Sequence, residues 1–95
     1  MGWEAKDPAA TLDYEVDWSA WLDAVSDSLS TSSFTVPTGL TKEDETIVSG
    51  NRKARVWLSG GQNGQRYDVV NTIATAGGRT IRRVCSLRVE TRTLV

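Results

Sequence analysis

Asp13, Glu15 and Asp17 recur at every second residue, the one place where acidic side chains stand at a regular spacing. In an extended strand that spacing sets three carboxylates on one face, and two or three such groups can hold a divalent cation. Calcium sites also need a glycine-hinged loop that wraps oxygens around the ion, and here the acids sit at ordinary outward strand positions. The chain contains no histidine, so serine and cysteine nucleophiles lack their usual general base and no His/Cys ligand set can form. Cys85 is the one cysteine. It can make no internal disulfide, and its inward strand parity marks a small core residue rather than a reactive thiol. The turns Gly60-Gly61-Gln62-Asn63-Gly64 and Gly77-Gly78 resemble phosphate cradles in composition only, because no helix follows either one. The expectation is a chain that is not an enzyme, with no cofactor, no metal and no small-molecule substrate.

Arginines are the other chemistry-bearing group. Arg79, Arg82, Arg88 and Arg92 could form an outward stripe on the last strand, as phosphate binding would want. No aromatic residues are interleaved with them, and the net charge is −1. Nucleic acid is therefore not the expected partner. That sum hides a segregation: residues 1–45 carry ten acids and two lysines (−8), residues 46–95 nine bases and two acids (+7). Either the halves neutralise each other across one fold, or opposite edges face different neighbours in a ring or stack.

These groups must be positioned by strands. Leu12, Tyr14, Val16 and Trp18 alternate with the three acids, the period of a half-buried strand. Trp18, Trp21, Leu22 and Val25 then follow helical spacing, predicting a short helix near residues 18–25 with Asp17 as N-cap. Ser26 to Ser33 is serine-rich, Phe34 and Val36 read as a strand end, and Thr41 to Asp44 reads as solvated loop. Strands are predicted over Glu45–Ser49, Lys53–Ser59, Arg66–Thr75 and about Thr80–Glu90, with turns at Gly50-Asn51, at the glycine-rich run and at Ala76–Arg79. In the last strand Ile81, Cys85, Leu87 and Val89 face inward. Arg83 shares that parity near the hairpin mouth, where a long side chain still reaches water.

Six to seven strands with frequent turn signals describe an all-β Greek-key sandwich. Tyr67, after a glycine turn at the start of the penultimate strand, fits a tyrosine corner and hence an immunoglobulin-like topology. Residues 1–10 are expected as an extended N-terminal arm kept open by Asp7-Pro8, and residues 11–95 as the sandwich. The chain opens without a basic start and apolar run, so no signal peptide is expected, and no stretch nears the roughly 18 apolar residues of a membrane helix. Four tryptophans against one Phe and two Tyr is dense. Trp18 and Trp21 read as structural lids over the sandwich end; Trp3 in the arm and Trp57 on the outward parity read as interface anchors.

Several segments together resemble a known family. Lys6-Asp7-Pro8, Leu12-Asp13-Tyr14 and Asp17-Trp18-Ser19-Ala20-Trp21-Leu22 look like the opening of small tailed-phage virion proteins described as fibre-tail adaptors. The pattern resumes in Phe34 to Leu40, Val56-Trp57-Leu58-Ser59-Gly60-Gly61, Tyr67 to Ile73 and Thr75 to Thr80. Asp23 to Ser28 departs from it as a longer turn. The resemblance implies an immunoglobulin-like, multi-copy structural protein in the tail or neck of the virion, held in the host cytoplasm during assembly. Its partners would be portal, tail or tail-fibre proteins and copies of itself in a ring. Trp3 and Trp57 would anchor these contacts, while Asp13, Glu15, Asp17, Arg82 and Arg88 would align them. A capsid decoration protein and a carbohydrate-binding module on a fibre are the alternatives.

Overall fold

The computed structural model describes residues 3, 5–48 and 50–91. Six strands and one helix follow in order: β1 (Leu12–Asp17), α1 (Ser19–Val25), β2 (Leu29–Thr35), β3 (Leu40–Val48), β4 (Lys53–Gly60), β5 (Arg66–Thr75) and β6 (Thr80–Arg88). They form two three-stranded antiparallel sheets, β1-β4-β3 and β2-β5-β6. The all-β sandwich-like class is thus as predicted.

Alternation explains the core. Tyr14 and Val16, Ala54, Val56 and Leu58 point inward from the first sheet. Val69, Ile73, Cys85 and Leu87 meet them from the second, all buried. Polar groups at inward positions find partners within the packing. Trp18 is buried, and its indole N–H donates to Asn71 Oδ1 at 2.9 Å. The Asn71 amide donates in turn to Ser32 Oγ and to the Ser33 carbonyl. Arg83 lies 4.4 Å over the Trp18 ring, a cation–π contact that accounts for an arginine on the inward parity. Trp21 meets Trp18 edge to face, with ring centroids 5.8 Å apart. Ile81 keeps the inward parity but is exposed beside the hairpin turn.

The helix forms where predicted, with its cap moved by one residue. Trp18 holds the N-cap position and makes no side-chain cap bond, whereas Asp17 accepts the N–H of Ser19. Burying the Trp18 indole fixes the helix start, and Asp17 satisfies one orphan donor from one position back. Ser26 ends α1 in the left-handed region (φ 52°).

β2 and β3 extend beyond what their sequence suggests. The serine run is strand from Leu29, and Thr41 to Asp44 belongs to β3. Both are sheet edges. The inward positions Lys42 and Glu45 of β3 pair with each other at 3.1 Å. They also bond Phe34 of β2: its N–H donates to Glu45 Oε2, and Lys42 Nζ donates to its carbonyl. Inward charges at an edge guard it against foreign strands and stitch this seam of the sandwich.

The described arm residues seal the other seam instead of standing free. Trp3 N–H donates to the Ser86 carbonyl and Lys6 N–H to that of Arg88, and Lys6 returns its carbonyl to Glu90 N–H, a parallel bridge beside β6. Trp3 stacks on Tyr14 at 4.9 Å and donates its indole N–H to the Glu15 carbonyl of β1. Lys6 is fully buried, its ammonium donating to the carbonyls of Asp7 and Gly60 at 2.8 Å each. Burial pushes its pKa below the usual value, and Asp7 opposes that shift.

Near Lys6, the Tyr67 hydroxyl accepts the N–H of Gln62 at 2.9 Å, tying β5 back to the connection before it. Gly39 and Gly61 flank this ring at positive φ. A Cβ at Gly61 would come within 2.7 Å of Val89, so only glycine fits.

Candidate functional site

Outward positions of the two sheets form two unlike faces. On β1-β4-β3, the register places Asp13, Trp57 and Asp44 in one row across three strands. The next row is Glu15, Arg55 and Thr46, and the one after it Asp17, Lys53 and Val48. A bulge between Lys42 and Asp44 inserts Glu43, whose carboxylate accepts a short hydrogen bond from the Ser59 hydroxyl. The face therefore carries five carboxylates against two cations. Trp57 lies near its middle, 37% exposed, among the few large hydrophobic side chains the fold leaves outside.

Most of this charge is satisfied locally. Arg55 donates to Glu15 at 2.9 Å and stands 3.6 Å from Asp13. Those contacts hold its guanidinium pKa above the usual value, Glu15 contributing most. Hydrogen bonds from Ser19 hold the Asp17 carboxyl below its usual range. The three strand acids thus bind an arginine and a helix start, and do not converge on a common point. Among the described residues, no group of three or more His, Cys, Asp or Glu is arranged to hold a metal ion.

On β2-β5-β6 the outward row Thr35, Val70 and Val84 is followed by Ser33, Thr72 and Arg82. Val84 is 47% exposed. Arg66 faces Arg88 at the far end. Asp68, bonded by the Ser86 hydroxyl, is the acid on these strands, and Glu90 just beyond β6 pairs with Arg88. This face is basic around an apolar centre.

The expected anchors therefore separate. Trp57, Asp13, Glu15 and Asp17 share one face, and Arg82 and Arg88 share the other. Trp3 belongs to neither, because its ring and its N–H are engaged by Tyr14 and Glu15 of its own domain. Trp18 is buried with Trp21 packed against it, and the Tyr67 hydroxyl accepts the N–H of Gln62. Of the four arginines in the expected basic stripe, Arg79 is bound to Asp27 at 2.9 Å, Arg88 is bound to Glu90, and Arg92 lies outside the described residues.

Sequence reading misses Asp44 and Glu43, which it assigns to a loop, and Val70 and Val84. Their signal was present: both valines fall on the outward parity of strands that were correctly located. It also missed Asp27, whose carboxylate accepts from Ser28, Gly77 and Arg79 and latches the start of β2 to the β5–β6 turn. These bonds, with one to Thr75 the largest, hold its pKa at about 2.

No curated protein matches the chain. A family model described as Gp77, podophage GP4 fiber-tail adaptor protein gp77, matches residues 6–88. That span runs from the buried Lys6 to the end of β6 and includes both outer faces. The chain belongs to this family of phage structural adaptors, which is not a class of enzymes.

Proposed function

We propose that the chain is a multi-copy adaptor in the tail or neck of the particle, joining the portal or tail to the tail fibres. The observation that carries this reading is the pair of outer sheet faces, opposite in sign and each with an exposed apolar centre. The three strand acids Asp13, Glu15 and Asp17 are engaged by Arg55 and Ser19 of their own domain. A rigid sandwich of this kind can seat two different neighbours at once. Solvent-exposed ion pairs add only about 0.2–1 kcal/mol each, so the charges select geometry while burial of Trp57 in the contact supplies strength.

Copy number in purified particles tests the proposal. Quantitative mass spectrometry is expected to find about six or twelve copies, as closed rings require. Copies on the order of hundreds would make it a shell-decorating protein instead, since a lattice and not a ring sets that stoichiometry. Absence from particles would overturn both.

A further inference from the structure

We infer that copies of this chain bind one another head to tail, the acidic Trp57 face of one against the basic Val84 face of the next. The inference rests on the multi-copy reading above and identifies the surfaces that would hold such copies together.

Three observations carry it. First, the two faces are complementary in charge. Asp13, Asp44, Glu43, Glu15 and Asp17 outnumber Lys53 and Arg55 on one, while Arg66, Arg82 and Arg88 outnumber Asp68 and Glu90 on the other. Second, each has its apolar group at the centre and its charges at the margin. Trp57 lies between Asp13 and Asp44, and the Val70–Val84 pair lies between the Thr72–Arg82 and Asp68–Ser86 rows, with Arg66 and Arg88 one row further out. Such an arrangement excludes water from the middle and leaves the rim wet. Third, the sheet edges are stitched by Glu45, Lys42 and the arm, so the faces, more than the edges, are left for partners.

Because the faces differ, the contact is heterologous and leaves one of each unfilled at every step. It therefore closes into a ring or grows without end, and does not stop at a dimer. Three strands at about 4.8 Å spacing and six residues at about 3.3 Å give a footprint of roughly 14 by 20 Å. That is well below the ~800 Å² per partner of a standard stable complex. Each contact is accordingly weak, and ring closure supplies the avidity.

The full-length chain is examined by sedimentation equilibrium up to about 1 mM, a range that detects contacts this weak. Self-association is expected, weakening as salt screens the charges. Trp57→Ala and Val84→Glu, each confirmed folded by circular dichroism, are expected to weaken it at least tenfold when measured alone. Each variant keeps one intact face, so their mixture should form a heterodimer that grows no further. A wild-type chain that stays monomeric, a Val84→Glu chain that associates like wild type, or a mixture that stays monomeric would each overturn the contact. Ring-like copy number in particles alongside any of these results would leave the adaptor reading standing and remove only this interface.

Discussion

Asn71 shows how much one polar side chain can organise here. It is completely buried, yet its carbonyl receives the Trp18 indole and its amide reaches Ser32 and the Ser33 carbonyl. One residue thereby links the helix start, β5 and the edge strand β2. Asn71→Ala would orphan the Trp18 N–H inside the core, and an unmade buried hydrogen bond costs about 1–3 kcal/mol. Adding the lost packing, we expect urea denaturation to show a loss near the upper end of that range, with an unchanged m-value if the unfolded state is unaffected. A loss below about 0.5 kcal/mol would mean that water replaces the amide, as happens where a site is polar and roomy. The inward parity of Asn71 between Val69 and Ile73 was readable beforehand. Its partner Ser32 was not, because it sits in a run that composition alone assigns to a linker.

At the scale of elements, legibility followed burial. β1, β4, β5 and β6 alternate because one face of each is wet and the other dry, and their register could be read from that contrast. β2 and β3 lie at edges, where inward positions hold Ser32, Lys42 and Glu45, so the hydrophobic pattern vanishes although the ladder persists. The charged faces were legible by parity from β1 and β6, but the acids that β3 adds to the first face depended on a strand the pattern concealed. The docking of the arm is illegible for a different reason. Trp3 and Lys6 bond backbone groups of the fold, and the Trp3 stack needs a partner eleven residues away, so neither leaves a periodic trace. Removing residues 1–10 would uncover Tyr14 and the carbonyls of Ser86 and Arg88. Losing three backbone bonds at about 1 kcal/mol each, partly offset by releasing the desolvated Lys6 ammonium, predicts destabilisation of about 2–3 kcal/mol. For a domain of this size that is a fall in Tm of about 10–20 °C by calorimetry. An unchanged Tm would mean the arm contributes nothing to its own domain.

Across the whole molecule the segregated charge largely neutralises itself. Among the described residues, four ion pairs join an acid from the first half to a base from the second: Asp13 and Glu15 with Arg55, Asp23 with Arg52, and Asp27 with Arg79. Folding therefore brings opposite halves together and leaves the outer faces only modestly charged. Hydrogen bonds to the carboxylates, with Thr75 foremost at Asp27 and Ser19 at Asp17, set the response to acid. Asp27 titrates near 2 when folded, against 3.8 for the unperturbed group, and Asp17 is shifted the same way. Stability from a depressed carboxylate is present above the unfolded value and disappears as pH falls through the folded one. Stability should thus be flat down to about pH 4 and drop between about pH 4 and 2, with a shallower drop in Asp27→Asn, as followed by denaturant melts at each pH. An identical acid profile in that variant would remove Asp27 as the cause. Lys6 acts oppositely: its lowered pKa means the charged form is disfavoured on folding, so stability should recover as pH rises from its depressed value toward 10.5.

The lone sulfur on β6 has a practical corollary. Cys85 is fully enclosed between the sheets, and that enclosure pushes its thiol pKa up. Only the thiolate reacts with alkylating reagents. A maleimide can therefore reach it only in molecules whose two layers have parted, and with one cysteine per chain every label counts one such event. The protein thus carries its own clock for transient opening, readable by mass without introducing any dye site, in dilute solution and in assembled particles alike.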